Sequence, residues 1–195
     1  MTTRSSQTKL AAPGAGLPFP ESLVAPWVFR VFRWTHGREE VSGFFREELG
    51  RILELARGVS EEEGEREVLI RRLPGLEDSS RDWSVFMTLE HLRIVTRAVL
   101  ETIEDLAGGV VPSRVASTAA VKPRRGAGVE EVDLLEREGL DWLERVQAIG
   151  DLKTRVKFAH PWFGPLDASA WHAMAAFHMR LHRKQVEGIL AGMGG

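Results

Sequence analysis

WSVFMTLEHLRIVTRAVLETIEDLAGG, the stretch from Trp83 to Gly109, decides the fold. Its residues Trp83, Phe86, Met87, Leu89, His91, Leu92, Ile94, Val95, Val99 and Ile103 recur at three- and four-residue steps, the period of an α-helix rather than of a strand. The apolar ones cover more than half of the helix circumference, so this helix needs neighbours on several sides and belongs at the centre of a bundle. Ser79 or Ser80 can cap the free amides of its first turn, and the pair Gly108-Gly109 stops it.

Helices of the same kind flank it. From Glu39 to Arg57 the residues Val41, Phe44, Phe45, Leu49, Ile52, Leu53, Leu55 and Ala56 mark an amphipathic helix, with Gly58 suited to its C-terminal cap. A third spans about Glu130 to Ile149. The last follows Asp167, a good N-cap, and continues to about Leu190. The run Glu61 to Arg66 reads as a solvated helix start or connector.

Upstream, Leu23, Val24, Trp27, Val28, Val31, Phe32 and Trp34 crowd a stretch interrupted by Pro26, which predicts a short helix entering the core. Residues 1–20 mix Ser, Thr, Gly, Ala and Pro without periodicity and read as a flexible arm, leaving 21–195 as one domain. Val110 to Gly128, with its prolines, glycines and the basic cluster Lys122, Arg124 and Arg125, is the longest loop. Four long helices and no convincing set of strands make the fold class all-α, a four-helix bundle.

Composition narrows the function. The 195 residues suffice for one core, and 26 lysines and arginines against 28 acidic residues give a net charge of −2. No single-sign excess exists to draw in nucleic acid or anionic lipid. No apolar run is long enough to span a bilayer and residues 1–20 lack the apolar core of a signal peptide, so a cytoplasmic location is expected. The sequence has no cysteine, which removes disulfides and thiolate nucleophiles and leaves any metal to nitrogen and oxygen ligands.

The histidines therefore carry the chemistry. His178 and His182 are four residues apart on the last helix, one above the other on nearly one face, close enough for both rings to reach a single ion. Trp171, Met174 and Gln185 share their stripe. Two histidines on one helix are commonly ordinary surface or core residues, so a third ligand is required. His91, mid-helix among apolar residues, is the natural candidate, because a buried imidazole needs a hydrogen-bonding or metal partner. The bland alternative is a satisfied core histidine. His36, His160 and His172 are weaker candidates, His160 being placed to line a pocket mouth.

Two segments resemble the DinB-like superfamily. The string from Trp83 to Leu92, in which a tryptophan and a small residue precede His91-Leu92, is similar to that family's second-helix signature. The string His160-Pro161-Trp162-Phe163-Gly164-Pro165-Leu166, followed by Trp171, Phe177 to His182 and Gln185, is similar to its final helix. The resemblance implies an antiparallel four-helix bundle with a nickel or zinc site at one end, ligated by His91, His178 and His182. Relatives in that family transfer low-molecular-weight thiols such as mycothiol or bacillithiol, or are mycothiol-dependent isomerases.

Three neutral imidazoles leave a coordination position open, as in catalytic zinc sites. An external thiol activated there would supply the sulfur that the chain lacks, which gives the first expectation: a thiol-dependent S-transferase. Lys122, Arg124 and Arg125 are then candidate contacts for a polar or anionic cofactor, against the reading that they are a solvated loop. The alternatives are a metal-dependent hydrolase, for which no separate general base is evident since Glu90 points about 100° from His91, and a non-catalytic, stress-related scaffold. A homodimer is expected in either class, with aromatic area to spare from six tryptophans and nine phenylalanines.

Overall fold

A computed structural model describes residues 9–194. Six α-helices follow in order: α1 (Phe19–Thr35), α2 (Arg38–Arg57), α3 (Glu61–Glu65), α4 (Val85–Ala107), α5 (Glu130–Ala148) and α6 (Ala168–Met193), with a two-stranded antiparallel hairpin, β1 (Phe158–His160) and β2 (Gly164–Leu166), before the last. Helices α2, α4, α5 and α6 form the four-helix bundle, each packing against two others so that α2 lies across from α4 and α5 across from α6. The expected all-α class is what the chain adopts; the hairpin is a small addition to it.

Side-chain pairs fix the helix directions. Arg38, at the start of α2, donates to the carbonyls of Val146 and Ile149 at the end of α5, both at 2.7 Å, so these two helices run antiparallel. Trp83 stacks over His182 while His91 meets His178, which makes α4 and α6 antiparallel as well. Arg93 pairs with Glu131 and Glu104 with Arg145, so α4 and α5 run in the same direction. A chain that leaves one helix and enters a parallel neighbour must travel back along the bundle. That return is the long segment from Gly108 to Val129, and it crosses the outside of the candidate site.

Local chemistry sets the boundaries. Asp167 caps α6 as expected, accepting from the Ala170 amide at 2.8 Å. Helix α4 is capped by Ser84, which accepts from Met87 N, whereas Ser79 and Ser80 sit in a separate 3-10 turn (Asp78–Ser80). That helix ends on Gly109, whose φ of +79° is a left-handed conformation that suits glycine and lets Val110 N bond back to Asp105 O. Ser60 and Glu63 cap α3 reciprocally.

Helix α1 departs from expectation in two ways. It runs unbroken through Pro26, and instead of entering the core it buries only Phe29 fully, with Phe32 half-buried. It also starts at Phe19, inside the segment expected to be a flexible arm. Residues 1–8 of that arm lie outside the described residues. The described part is tied down by its backbone N–H groups, Ala11 donating to the Asp78 carboxylate and Gly14 and Gly16 to the Glu77 carboxylate.

The core is close-packed at the contact between α3 and α4. A Cβ at Gly64 would run into the buried Phe86 ring. Gly64→Ala is therefore expected to destabilise the protein by about 1–3 kcal/mol through overpacking. Urea unfolding of the two proteins checks this, and an unchanged midpoint would show that the ring can move aside.

Candidate metal centre

Three imidazoles meet where α4 and α6 cross. His91 stands nearly two turns into α4; His178 and His182 stand one turn apart on α6, so the antiparallel crossing brings all three together. Their ligand-capable nitrogens lie within 4.8 Å of one another, and His91 Nε2 is 3.2 Å from His178 Nε2. Nitrogen ligands on bonds of about 2.0–2.1 Å in tetrahedral coordination sit roughly 3.3 Å apart, so the spacing suits one ion.

Hydrogen bonds decide which nitrogens are free. His91 Nδ1 lies 2.7 Å from Val121 O, and a carbonyl only accepts, so Nδ1 carries the proton and a neutral His91 keeps its lone pair on Nε2. For His182 the tautomer is fixed through a relay. Gln185 Nε2 donates to Ser80 O at 2.7 Å, which orients the amide so that Oε1 accepts from His182 Nδ1, again at 2.7 Å. His182 Nε2 is therefore also a lone pair. Metal-ligating histidines are held in this way, the far nitrogen bonded to a carbonyl or carboxylate while the near one faces the ion.

Burial keeps the rings neutral. It pushes His91 down to about 4, helped by the charge of Lys122, and pushes His178 and His182 well below the usual imidazole range. The indole of Trp83 lies nearly parallel to His182 with ring centres 6.2 Å apart and tilted against His91 at 5.0 Å, closing that side of the cluster.

The triad opens onto a pocket of about 350 Å³ whose walls are mostly apolar, including Ile94, Val95, Val99, Trp162, Met174 and Leu181. His160 lines it too, as expected. His160 Nδ1 accepts from the Trp162 amide at 3.1 Å and its ring stacks on Phe163, so the neutral ring has Nε2–H left to offer. Burial holds its pKa down to about 4. His36 bonds near the end of α1 and His172 bonds Ser42 beside Trp142, so neither joins the triad.

The three basic loop residues separate. Lys122 borders the pocket, but its ammonium donates to Glu77 (2.8 Å), Ser79 (2.9 Å) and Ser80 (2.7 Å), using its three N–H groups as a clasp between the loop and the turn before α4. Burial raises the Glu77 carboxyl, yet the bonds from Lys122 and Thr118 outweigh it and hold the group below the usual range. Arg124 holds the buried Glu90, and Arg125 pairs with Glu67 and Asp82; neither borders the pocket. An anionic cofactor would have to compete with these carboxylates. Glu90, occupied by Arg124, likewise does not line the pocket.

Sequence reasoning did not find Val121 and Ser80, because they act through backbone carbonyls that every residue possesses. Gln185 left a signal, three residues beyond His182 on the same face.

No protein-family model matches the chain, and no curated protein matches it. Among solved structures, one described as TT2238, a four-helix bundle protein, superposes with a TM-score of 0.57 at 20% sequence identity, over 77% of this chain and 98% of that one. Likeness at this identity establishes the fold alone. The chain is thus a four-helix bundle, and its histidine cluster is arranged as a site that could hold a metal ion. No helix among the described residues is long and apolar enough to cross a membrane.

Proposed function

We propose that this protein is a divalent-metal-dependent enzyme, with His91, His178 and His182 as ligands and the adjoining pocket as the site for a small, largely apolar substrate. The observation that carries the reading is the pair of fixed tautomers: Val121 O and the Gln185–Ser80 relay aim two lone pairs at the space that His178 completes. Zinc and nickel both suit an all-imidazole donor set. The DinB-like superfamily is the family reading we favour, on the segments from Trp83 to Leu92 and from His160 to Gln185, and the bundle fold accords with it.

When bound, such an ion lowers the pKa of a thiol or water that coordinates it, which supplies a nucleophile near neutral pH. The chain's residues do the rest. The apolar wall excludes water and takes the body of the substrate, and its volume falls within the range of small-molecule sites. His160 Nε2–H offers one hydrogen bond to a polar group of a pocket ligand. Since the chain has no cysteine, sulfur in a transfer reaction comes from an external low-molecular-weight thiol. The thiol would release its proton to bulk solvent, its sulfur would bond to an electrophilic carbon, and the bond from that carbon to the leaving group would break, the electron pair going with the leaving group.

The test is thiol consumption with a chlorinated arene by untagged protein loaded with zinc or nickel, using several bacterial thiols. Turnover above the metal-only control, lost in His178→Ala, is the expected result. Substrate breakdown without thiol consumption would instead assign a hydrolase, and no turnover with any thiol or ester would leave the bundle a binding scaffold.

A further inference from the structure

Helix α1 turns an apolar face to solvent. Trp34 is 88% exposed, Trp27 66%, Leu23 58%, Val24 57%, Val31 55% and Val28 48%. At about 100° per residue these six side chains fall within one arc of roughly 140°. No charged residue lies inside the arc; Arg30 stands at its edge, over the Trp27 ring. Large aromatic side chains present about 150–250 Å² each, so the whole patch comes to roughly 700 Å². Ordinary monomers expose patches of about 300–600 Å², whereas a stable interface takes about 800 Å² from each partner.

We propose that this face of α1 is the interface with a second copy of the chain. Val24, Trp27, Val31 and Trp34 alternate steps of three and four, the spacing of a helix seam that packs against another helix. A two-fold axis through such a seam makes it self-complementary, with each copy's tryptophans set against the partner's valines. At roughly 700 Å² from each partner, the patch lies within the roughly 600–1,000 Å² a side of standard-size interfaces. Residues 1–8 contain one apolar residue, Met1, and so offer no apolar segment to match it. A membrane surface fits less well, because interfacial helices carry a cationic face. Here Arg33 is paired with Asp167, leaving Arg30 as the cation of α1 without a carboxylate partner among the described residues.

The interface would brace the site. On its inner side α1 stacks Phe29 on Phe163, at 4.6 Å between ring centres, and Phe163 stacks on His160. Sedimentation of the untagged full chain across roughly 1–100 μM tests the proposal. The wild type is expected to be a dimer, and the double substitution W27E/W34E a folded monomer, its dissociation constant raised at least about 30-fold as for a central contact. Val31→Lys provides the same readout with a smaller change, should the double variant fold poorly. Leu140→Glu, an equally exposed apolar position on α5, should leave the dimer intact. A monomeric wild type at the highest concentration, or a dimer that persists in both α1 variants, would overturn the proposal. Binding to phosphatidylglycerol vesicles by a monomeric wild type, lost in W27E/W34E, would assign the face to a membrane surface instead.

Discussion

Replacing His182 with alanine is expected to weaken zinc or nickel binding by more than about 100-fold while leaving the far-ultraviolet circular dichroism helical. The loss should exceed the roughly 10–100-fold that follows when only the partner of a ligating histidine is removed. Gln185→Leu makes that milder change: all three imidazoles stay, but His182 Nδ1 and Ser80 O lose their common partner. Competition against a chromophoric chelator, with untagged protein, measures both. His36→Ala, outside the cluster, should bind as the wild type does. Wild-type affinity in His182→Ala, or an equal loss in His36→Ala, would remove the triad as the metal site. The pair of variants also separates a ligand from a residue that positions it. If Gln185→Leu matches His182→Ala, the tautomer of His182 matters as much as its presence.

Acidification is expected to destabilise the metal-free protein well before its carboxylates titrate. Burial holds His91, His160 and His172 down to about 4, and His178 and His182 well below the ordinary value. Between pH 6.5 and 4 the unfolded chain therefore binds protons at these positions and the folded chain does not. Stability is complete above pH 6.5 and declines as pH falls through that window, at up to about 1.4 kcal/mol per pH unit for each such histidine. His172 alone, 2% exposed, removes about 3 kcal/mol by pH 4 on this account. Urea midpoints at pH 7.5, 6 and 5, taken with a chelator present, follow the effect. His172→Gln should flatten the slope by one proton. A midpoint that does not move between pH 7.5 and 5 would mean that the native state accepts protons on these rings, and hence that they are not sealed from water.

Much of the fold was legible because helix period and caps are local properties. The repeating apolar positions placed α2, α4, α5 and α6, and Asp167 announced its own helix. The triad was legible as well, in part: the four-residue step from His178 to His182 puts them on one face regardless of what surrounds the helix. His91 needed more, since only the antiparallel crossing of α4 and α6 brings it to 3.2 Å from His178.

The rest was decided in three dimensions. Apolar content told that α1 would be a helix but not which way it would face, because burial depends on what another element offers, and the bundle takes in Phe29 fully and Phe32 in part while the larger apolar side chains on the opposite face stay exposed. Charge on Lys122, Arg124 and Arg125 suggested a docking loop, yet the carboxylates that meet them, from Glu67 to Glu90, come from distant segments whose approach no spacing encodes. Ser79 and Ser80 are as good caps as Ser84 by residue type, and the turn before α4 chose among them. The bonds that free Nε2 of His91 and His182 end, directly for His91 and through the Gln185 amide for His182, on the carbonyls of Val121 and Ser80, and a backbone carbonyl carries no mark in the sequence. Side-chain type and local period were thus determined by the sequence alone; the direction of each lone pair and the exposure of each apolar face depended on which distant groups the fold brought alongside.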